Sequence, residues 1–292
     1  MVRIAFLIQA HADCEHLARL VSKLYPHDVY IHWDAKSGPP PDIPGARVIE
    51  KRIPVFWAGF TQVKASIELI RAALQHEQPY DRFVLLSGAD YPIRPIKDLE
   101  QLFASDGGRN YINANRVADA DFLAVQTKRS IWRDAVLPMQ LKRRRLVLQL
   151  ERYLRAGLNA TLRFLPKKGI SEELFHGSSW WALNVESAAY VLEVYETRPD
   201  LRRFFAFTFA SDEKFFQTIL LNSHLSESCG DVLAYTGRGT YKTANLHLID
   251  PSLCKWYSEV DIETIETSDK YFLRKVRTGT SERLLDWIDE RI

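Results

Sequence analysis

The chain has 292 residues, 46% hydrophobic and 26% charged, enough for a sizeable core in one or two domains. Its formal net charge of +2 excludes the marked basic excess of a bulk nucleic-acid binder. Cys14, Cys229 and Cys254 are widely spaced and odd in number, which excludes a disulfide framework or a zinc site and reads as three reduced thiols. In chain order, residues 2–10 form a short apolar run, the pattern of a buried strand. Leu17, Leu20, Val21 and Leu24 share one helical face, and 29–34 is β-rich between turn residues. Strand, helix, strand predicts a βαβ unit and a parallel sheet. A short strand follows at 47–49. Thr61 is the expected cap of a helix carrying Val63, Ile67, Ile70 and Leu74 at helical spacing. A buried strand at 82–86, a helix at 96–103 and a strand at 110–112 continue the alternation. The stretch 142–168 holds nine basic residues against one acid, Glu151, with leucines interleaved, and predicts a basic amphipathic helix. Beyond it lie a strand at 180–183 and helices at 186–195 and 215–221.

Open parallel sheets bind ligands beyond the carboxyl ends of their strands. His11, Asp34, and the group Ser87, Gly88 and Asp90 fall at such ends. No GxGxxG follows the first strand and no GxxxxGK[ST] occurs, which weakens the dinucleotide and P-loop readings. Ser211 reads as a helix cap, with Asp212 and Glu213 in the first turn: either dipole-stabilising acids or a general base toward a hydroxyl. Asp119-Ala120-Asp121 spells DxD, but no clear buried strand precedes it, so a surface loop is expected rather than a metal site. Residues 272–277 set bulky apolar side chains beside Arg274, Lys275 and Arg277. This is either a helix or strand edge with solvated charges, or a cationic clamp on a diphosphate.

Six segments in order carry a family resemblance: 31–37, 55–60, Leu85-Leu86-Ser87-Gly88-Ala89-Asp90-Tyr91-Pro92-Ile93, 177–183, 211–216 and 272–275. Together they resemble the core-2/I-branching β-1,6-N-acetylglucosaminyltransferases, a family that also includes the peptide O-xylosyltransferases. The resemblance implies a GT-A-like α/β fold with a mixed, mainly parallel sheet. It implies a single domain over 1–292, with a Rossmann-type nucleotide half at about 1–115 and an acceptor half with a diphosphate-binding tail at about 116–292. It implies an inverting, metal-independent transfer of a sugar, N-acetylglucosamine first and xylose as the alternative, from a UDP-sugar to a glycan hydroxyl, with no cofactor. A binding protein that kept the fold and lost the chemistry is the competing class.

By the same resemblance Glu213 is the general base, and Asp212 orients it or caps the helix. Lys275 stabilises the departing UDP with help from Arg274. The family's upstream arginine has no counterpart, His247 and Lys255 being the basic residues nearby. Asp34 falls to the nucleotide, and His11, from its place at the first strand's end, either touches the nucleotide or is a structural histidine. Ser87, Asp90, Trp180 and Asp212 fall to the sugar and acceptor, with Asp90 equally readable as a turn residue before Tyr91-Pro92; Trp180 is chosen because alternating strand geometry lets only one of Trp180 and Trp181 face a pocket. The start at a first strand and the lack of a spanning stretch predict a cytoplasmic enzyme of bacterial type, making a capsule-like glycan on a lipid-linked or free acceptor. Residues 142–168 would then touch an anionic inner membrane face or a charged acceptor, or form a solvated helix packed on the domain, a reading that stands level with the other two.

Overall fold

A computed structural model describes residues 2–138 and 145–292. The elements run β1 (Ile4–Ala10), α1 (Cys14–Lys23), β2 (Asp28–Trp33), β3 (Ala46–Val48), α2 (Phe60–Leu74), β4 (Arg82–Ser87), β5 (Asp90–Pro92) and α3 (Ile96–Ser105). They continue with β6 (Ala114–Arg116), α4 (Asp121–Lys128), α5 (Arg145–Leu162), β7 (Phe175–Gly177), β8 (Ala182–Asn184), α6 (Val185–Thr197), α7 (Pro199–Ala206) and α8 (Phe215–Leu221). The last are β9 (His247–Ile249), α9 (Ile262–Glu266), β10 (Phe272–Arg274) and α10 (Glu282–Asp289).

The main sheet has the order β3-β2-β1-β4-β8. The first four strands are parallel and β8 closes one edge antiparallel. The α/β class and the mainly parallel sheet are thus as expected. In β1 the run is apolar from Ile4 to Ile8 because helices cover both faces of the sheet. Ile4, Phe6 and Ile8 point into one core with Leu17, Leu20 and Leu284, while Ala5 and Leu7 point into the other with Val63, Ile67 and Phe215. Gln9 continues the second face as a polar end, where its Nε2 donates to Gln62 O at 3.1 Å and Ser66 Oγ at 2.7 Å. Helix α1 starts at Asp13, whose side chain accepts from the His16 N–H, a cap worth about 1 kcal/mol.

A smaller sheet, β5-β10-β9, brings the C-terminal tail against the end of β4. Its central strand is β10, antiparallel to β5 and parallel to β9, so 272–274 is an interior strand rather than a helix or an edge. Two other expectations shift. Helix α2 begins at Phe60 with Gly59 in the cap position, and Thr61 lies inside the first turn, its hydroxyl donating to Asp134 at 2.7 Å and accepting from the Phe56 N–H at 2.9 Å. Residues 110–112 form no strand; Tyr111 alone bridges Ala182. In the stretch 142–168, residues 142–144 lie outside the described residues, and α5 covers most of the remainder.

Candidate active site

The carboxyl ends of β1, β2 and β4 open onto a cavity of about 390 Å³. His11, Asp34 and Ser87 line it from the three strand ends, joined by Gln62, Trp57, Trp180 and Arg274. The left-handed backbone at Ala58 (φ 58°) turns the chain sharply between Trp57 and α2. Gln62 Oε1 accepts from the Ala58 N–H at 2.7 Å and fixes that turn.

Asp34 is buried and anchored locally. Its Oδ1 accepts from the backbone N–H groups of Lys36 at 2.8 Å and Val55 at 3.3 Å. His32 accepts from the Ile53 N–H through Nε2 at 2.7 Å, so its ring proton sits on Nδ1. Burial lowers its pKa, and the nearby Asp34 only partly opposes this.

Behind the floor lies Asp90, with no exposure. Its Oδ1 accepts from the Ser87 hydroxyl at 2.7 Å and from Arg274 at 2.9 Å. Its Oδ2 accepts from the Ser87 N–H at 2.7 Å and lies 3.2 Å from His247 Nε2. Burial alone would raise this carboxyl's pKa. The Arg274 charge, His247 and the Ser87 amide outweigh that and hold it well below the usual range. Asp90 was expected to touch sugar or acceptor. Both of its oxygens are taken and it is wholly enclosed, so it instead positions Arg274 and Ser87. Arg274 also lies over the Trp180 ring, 4.4 Å from its centroid. Trp180 faces the cavity, whereas Trp181 is buried with its ring centroid 5.0 Å from that of Phe216.

Lys275 does not line this cavity. Its Nζ lies 4.9 Å from the centroid of the Trp256 ring, over which Arg277 also sits. The two basic residues nearby are committed: His247 to Asp90, and Lys255 to Asp261.

The acids at 212–213 are not in the first turn of α8. Ser211–Glu213 forms a separate 3₁₀ turn, and Lys214 occupies the cap position of α8. Ser211 makes no side-chain cap, so neither the capping nor the helix-dipole argument applies to the acids. The turn is set by Ala210 in the left-handed region (φ 48°), whose N–H donates to Ala58 O at 3.1 Å. Fully buried Lys214 braces it, donating to Phe209 O at 3.0 Å and Ala210 O at 3.3 Å. Burial lowers the Lys214 pKa, against the pull of Glu213 and Asp212.

Asp212 Oδ2 accepts from Ser179 Oγ at 2.7 Å and Gln62 Nε2 at 3.3 Å, so it stands one side chain behind the cavity lining. Its Oδ1 is shielded, with no hydrogen-bond partner among the described residues. Burial, then the charge of Glu213, pushes the Asp212 pKa up. Glu213 faces a smaller cavity of about 120 Å³ lined also by His176, Tyr235 and Arg238. His176 Nε2 lies 3.3 Å from Glu213 Oε2, and a carboxylate acceptor requires that nitrogen to carry the proton. Burial lowers the His176 pKa, and the hydrogen bond to Glu213 opposes this. Sequence reasoning missed Gln62, His176, Ser179 and Lys214. Ser179 sits inside the 177–183 segment and His176 abuts it, which was the available signal.

Asp119 and Asp121 are both exposed, on the turn leading into α4 with buried Ala120 between them. Among the described residues no three His, Cys, Asp or Glu side chains gather as a metal site.

The family model "Core-2/I-Branching enzyme" matches residues 4–236. The chain belongs to this family of glycosyltransferases. Similar curated proteins include xylosyltransferase 1 of Rattus norvegicus, 27% identical over 76% of this chain and 26% of that protein. Another is xylosyltransferase 2 of Rattus norvegicus, 24% identical over 99% of this chain and 33% of that protein. The chain therefore spans a third or less of the length of these relatives. Among solved structures, mouse xyloside xylosyltransferase 1 in its apo form aligns at 12% identity and a TM-score of 0.35, over 80% of this chain and 85% of that one. That likeness is too distant to add to the argument.

Proposed function

We propose that the chain moves a sugar from a UDP-sugar to a hydroxyl of a glycan or lipid-linked glycan, by a single inverting displacement without a metal. The observation that carries this is the cavity at the strand ends, with Arg274 fixed in its lining, Asp212 behind it through Gln62, and Glu213 next in the chain facing the smaller neighbouring cavity. In this reading Asp34 and His11 meet the nucleotide, and Trp180 offers an aromatic face to the donor sugar. The acceptor enters beside Glu213. Its hydroxyl oxygen forms a bond to C1 while the bond from C1 to the diphosphate oxygen breaks. Glu213 takes the hydroxyl proton, and the bond electrons leave with UDP. A diphosphate leaves without a protonating acid, so one base suffices. Negative charge develops on the leaving oxygen and needs a fixed, preorganised cation. Arg274 supplies it from the lining, and Lys275 from beside Trp256. His176 holds Glu213 in place as a hydrogen-bond donor. Asp212 keeps the turn closed.

N-acetylglucosamine is the donor expected from the resemblance; xylose is the second reading, favoured by the names of the relatives. The place of reaction proposed is the cytoplasmic face of a membrane, where an activated donor and a lipid-linked acceptor meet. The test is UDP release from a panel of UDP-sugars in EDTA, wild type against Glu213→Gln, with UDP binding scored in parallel. Turnover with one donor that resists EDTA and is lost in the variant while UDP still binds supports the mechanism and names the donor. Binding of UDP without turnover on any acceptor supports the competing binding protein, and turnover abolished by EDTA contradicts the metal-free step.

A further inference from the structure

Helix α5 (Arg145–Leu162) turns one apolar stripe to solvent. Its inward side half-buries Val147, Leu158 and Leu162 and is held by polar contacts. Glu151 is buried and accepts from the backbone N–H groups of Val136 at 2.9 Å and Leu137 at 2.8 Å. Asn159 accepts from the Trp132 N–H at 2.7 Å and donates to Trp132 O at 3.1 Å. The outward face is apolar. Leu146, Leu150, Tyr153 and Phe164 fall on one 3.6-residue stripe, with small Gly157 and Ala160 filling the intervening turns and Leu154 alongside. Phe164 stays on the stripe because its N–H still donates to Thr161 O past the helix end. The exposures are 77% for Leu146, 51% for Leu150, 74% for Tyr153, 41% for Leu154 and 87% for Phe164.

Single exposed apolar side chains are ordinary, but an aligned row of them marks a contact surface. Its charge says what it contacts. Arg152 and Arg163 are exposed on one shoulder of the stripe. The only acid in the helix, Glu151, is turned inward. The outer surface of α5 therefore offers hydrocarbon and positive charge with no negative charge, the complement of an anionic bilayer interface. No described helix is long and apolar enough to cross a membrane. At about 1.5 Å per residue, α5 is long enough to lie in the plane of the interface.

We propose that α5 is an in-plane anchor. Leu146, Leu150, Tyr153, Leu154 and Phe164 sink to the level where headgroups meet acyl chains. Arg152 and Arg163 extend their stems along the apolar stripe and place their guanidinium groups on lipid phosphates. The inference does not depend on what the cavity binds, and either reading can fail alone.

The test is flotation of the full chain with vesicles of neutral phosphatidylcholine and with vesicles of phosphatidylcholine mixed with phosphatidylglycerol. Wild type should float with the anionic vesicles and bind neutral ones at least about tenfold more weakly. Leu150→Glu combined with Tyr153→Glu should abolish flotation while thermal unfolding stays as in wild type. If that variant fails to fold, Arg152→Gln with Arg163→Gln carries the test. It keeps the apolar stripe and should weaken anionic binding by roughly tenfold or more, with a smaller dependence on salt. Three outcomes overturn the proposal: no flotation of wild type with anionic vesicles, flotation indifferent to both variants, or a dimer in light scattering that the glutamate pair breaks while vesicles are ignored. The last assigns the face to a second copy of the chain.

Discussion

Two carboxylates stand behind the lining of the cavity, and their surroundings push them opposite ways. Asp90, under the floor at Ser87, is met by the Arg274 cation, His247 and a backbone amide, and is held strongly ionised. Asp212, behind Gln62 and Ser179, is enclosed beside a second acid, and its nearest cation, Lys214, spends its donors on two backbone carbonyls. The first cluster is charge-compensated and rigid, suited to fixing a cation where a diphosphate would leave. The second is under-compensated, the condition under which proton chemistry is usually found. A floor that holds charge and a turn that can manage a proton are what the proposed metal-free transfer asks of the site.

The contrast can be tested at both ends. The largest effect is expected at the 211–213 turn. Glu213→Gln should lower turnover by roughly 10²–10⁴-fold with UDP affinity little changed, measured by steady-state UDP release and by titration with UDP. An unchanged rate would place the base elsewhere.

Next comes the floor. Asp90→Asn should cost about 3 kcal/mol at pH 7, read by urea denaturation, because it leaves the Arg274 guanidinium short of its counter-charge. The sign with pH follows from the depressed pKa. The stabilisation from ionised Asp90 is complete above the ordinary carboxylate value of about 4 and is lost only as pH falls below it. The gap between variant and wild type should therefore persist at pH 5 and narrow only in strong acid.

Asp212→Asn should do the reverse and less of it. A raised folded-state pKa means ionised Asp212 costs stability above that pKa, and the cost fades as pH falls toward the ordinary carboxylate value. The variant should be more stable than wild type at neutral pH, by on the order of 1 kcal/mol, and equal to it near pH 4. A variant less stable at every pH would show that the hydrogen bonds from Ser179 and Gln62 outweigh the burial of charge.

The smallest effect is expected at Trp180→Ala, which removes the ring under Arg274. A loss of about 1 kcal/mol, seen as a several-fold weaker affinity for UDP-sugar, is the scale of a partly exposed cation–π contact.

The legibility of these features in the sequence followed their length and locality. Strands β1, β2 and β4 are buried on both faces, so each reads as an apolar run, and their ends located His11, Asp34 and Ser87. Strand β10 is three residues long and exists through pairing with β5 and β9, contacts that no local pattern records. The 211–213 turn was misread for a related reason. Serine before two acids and an apolar run is a sound helix-start signal, but Ala210 in the left-handed region, tied to Ala58, makes the acids a separate turn. Asp90 was legible as a strand-end acid and not as a buried one, since its partners Arg274 and His247 arrive from far along the chain. The basic stretch was recognisable as amphipathic. Its outward direction was not, because that depends on Glu151 finding the backbone at Val136 and Leu137.

The most direct test of the central claim, that the strand-end cavity is the donor site and Arg274 its fixed cation, is a calorimetric titration of UDP in EDTA. Wild type and Glu213→Gln should bind UDP alike, and Arg274→Gln should bind it at least about tenfold more weakly, the loss of one charge-assisted contact. No UDP binding by wild type, or binding indifferent to Arg274, would contradict the account.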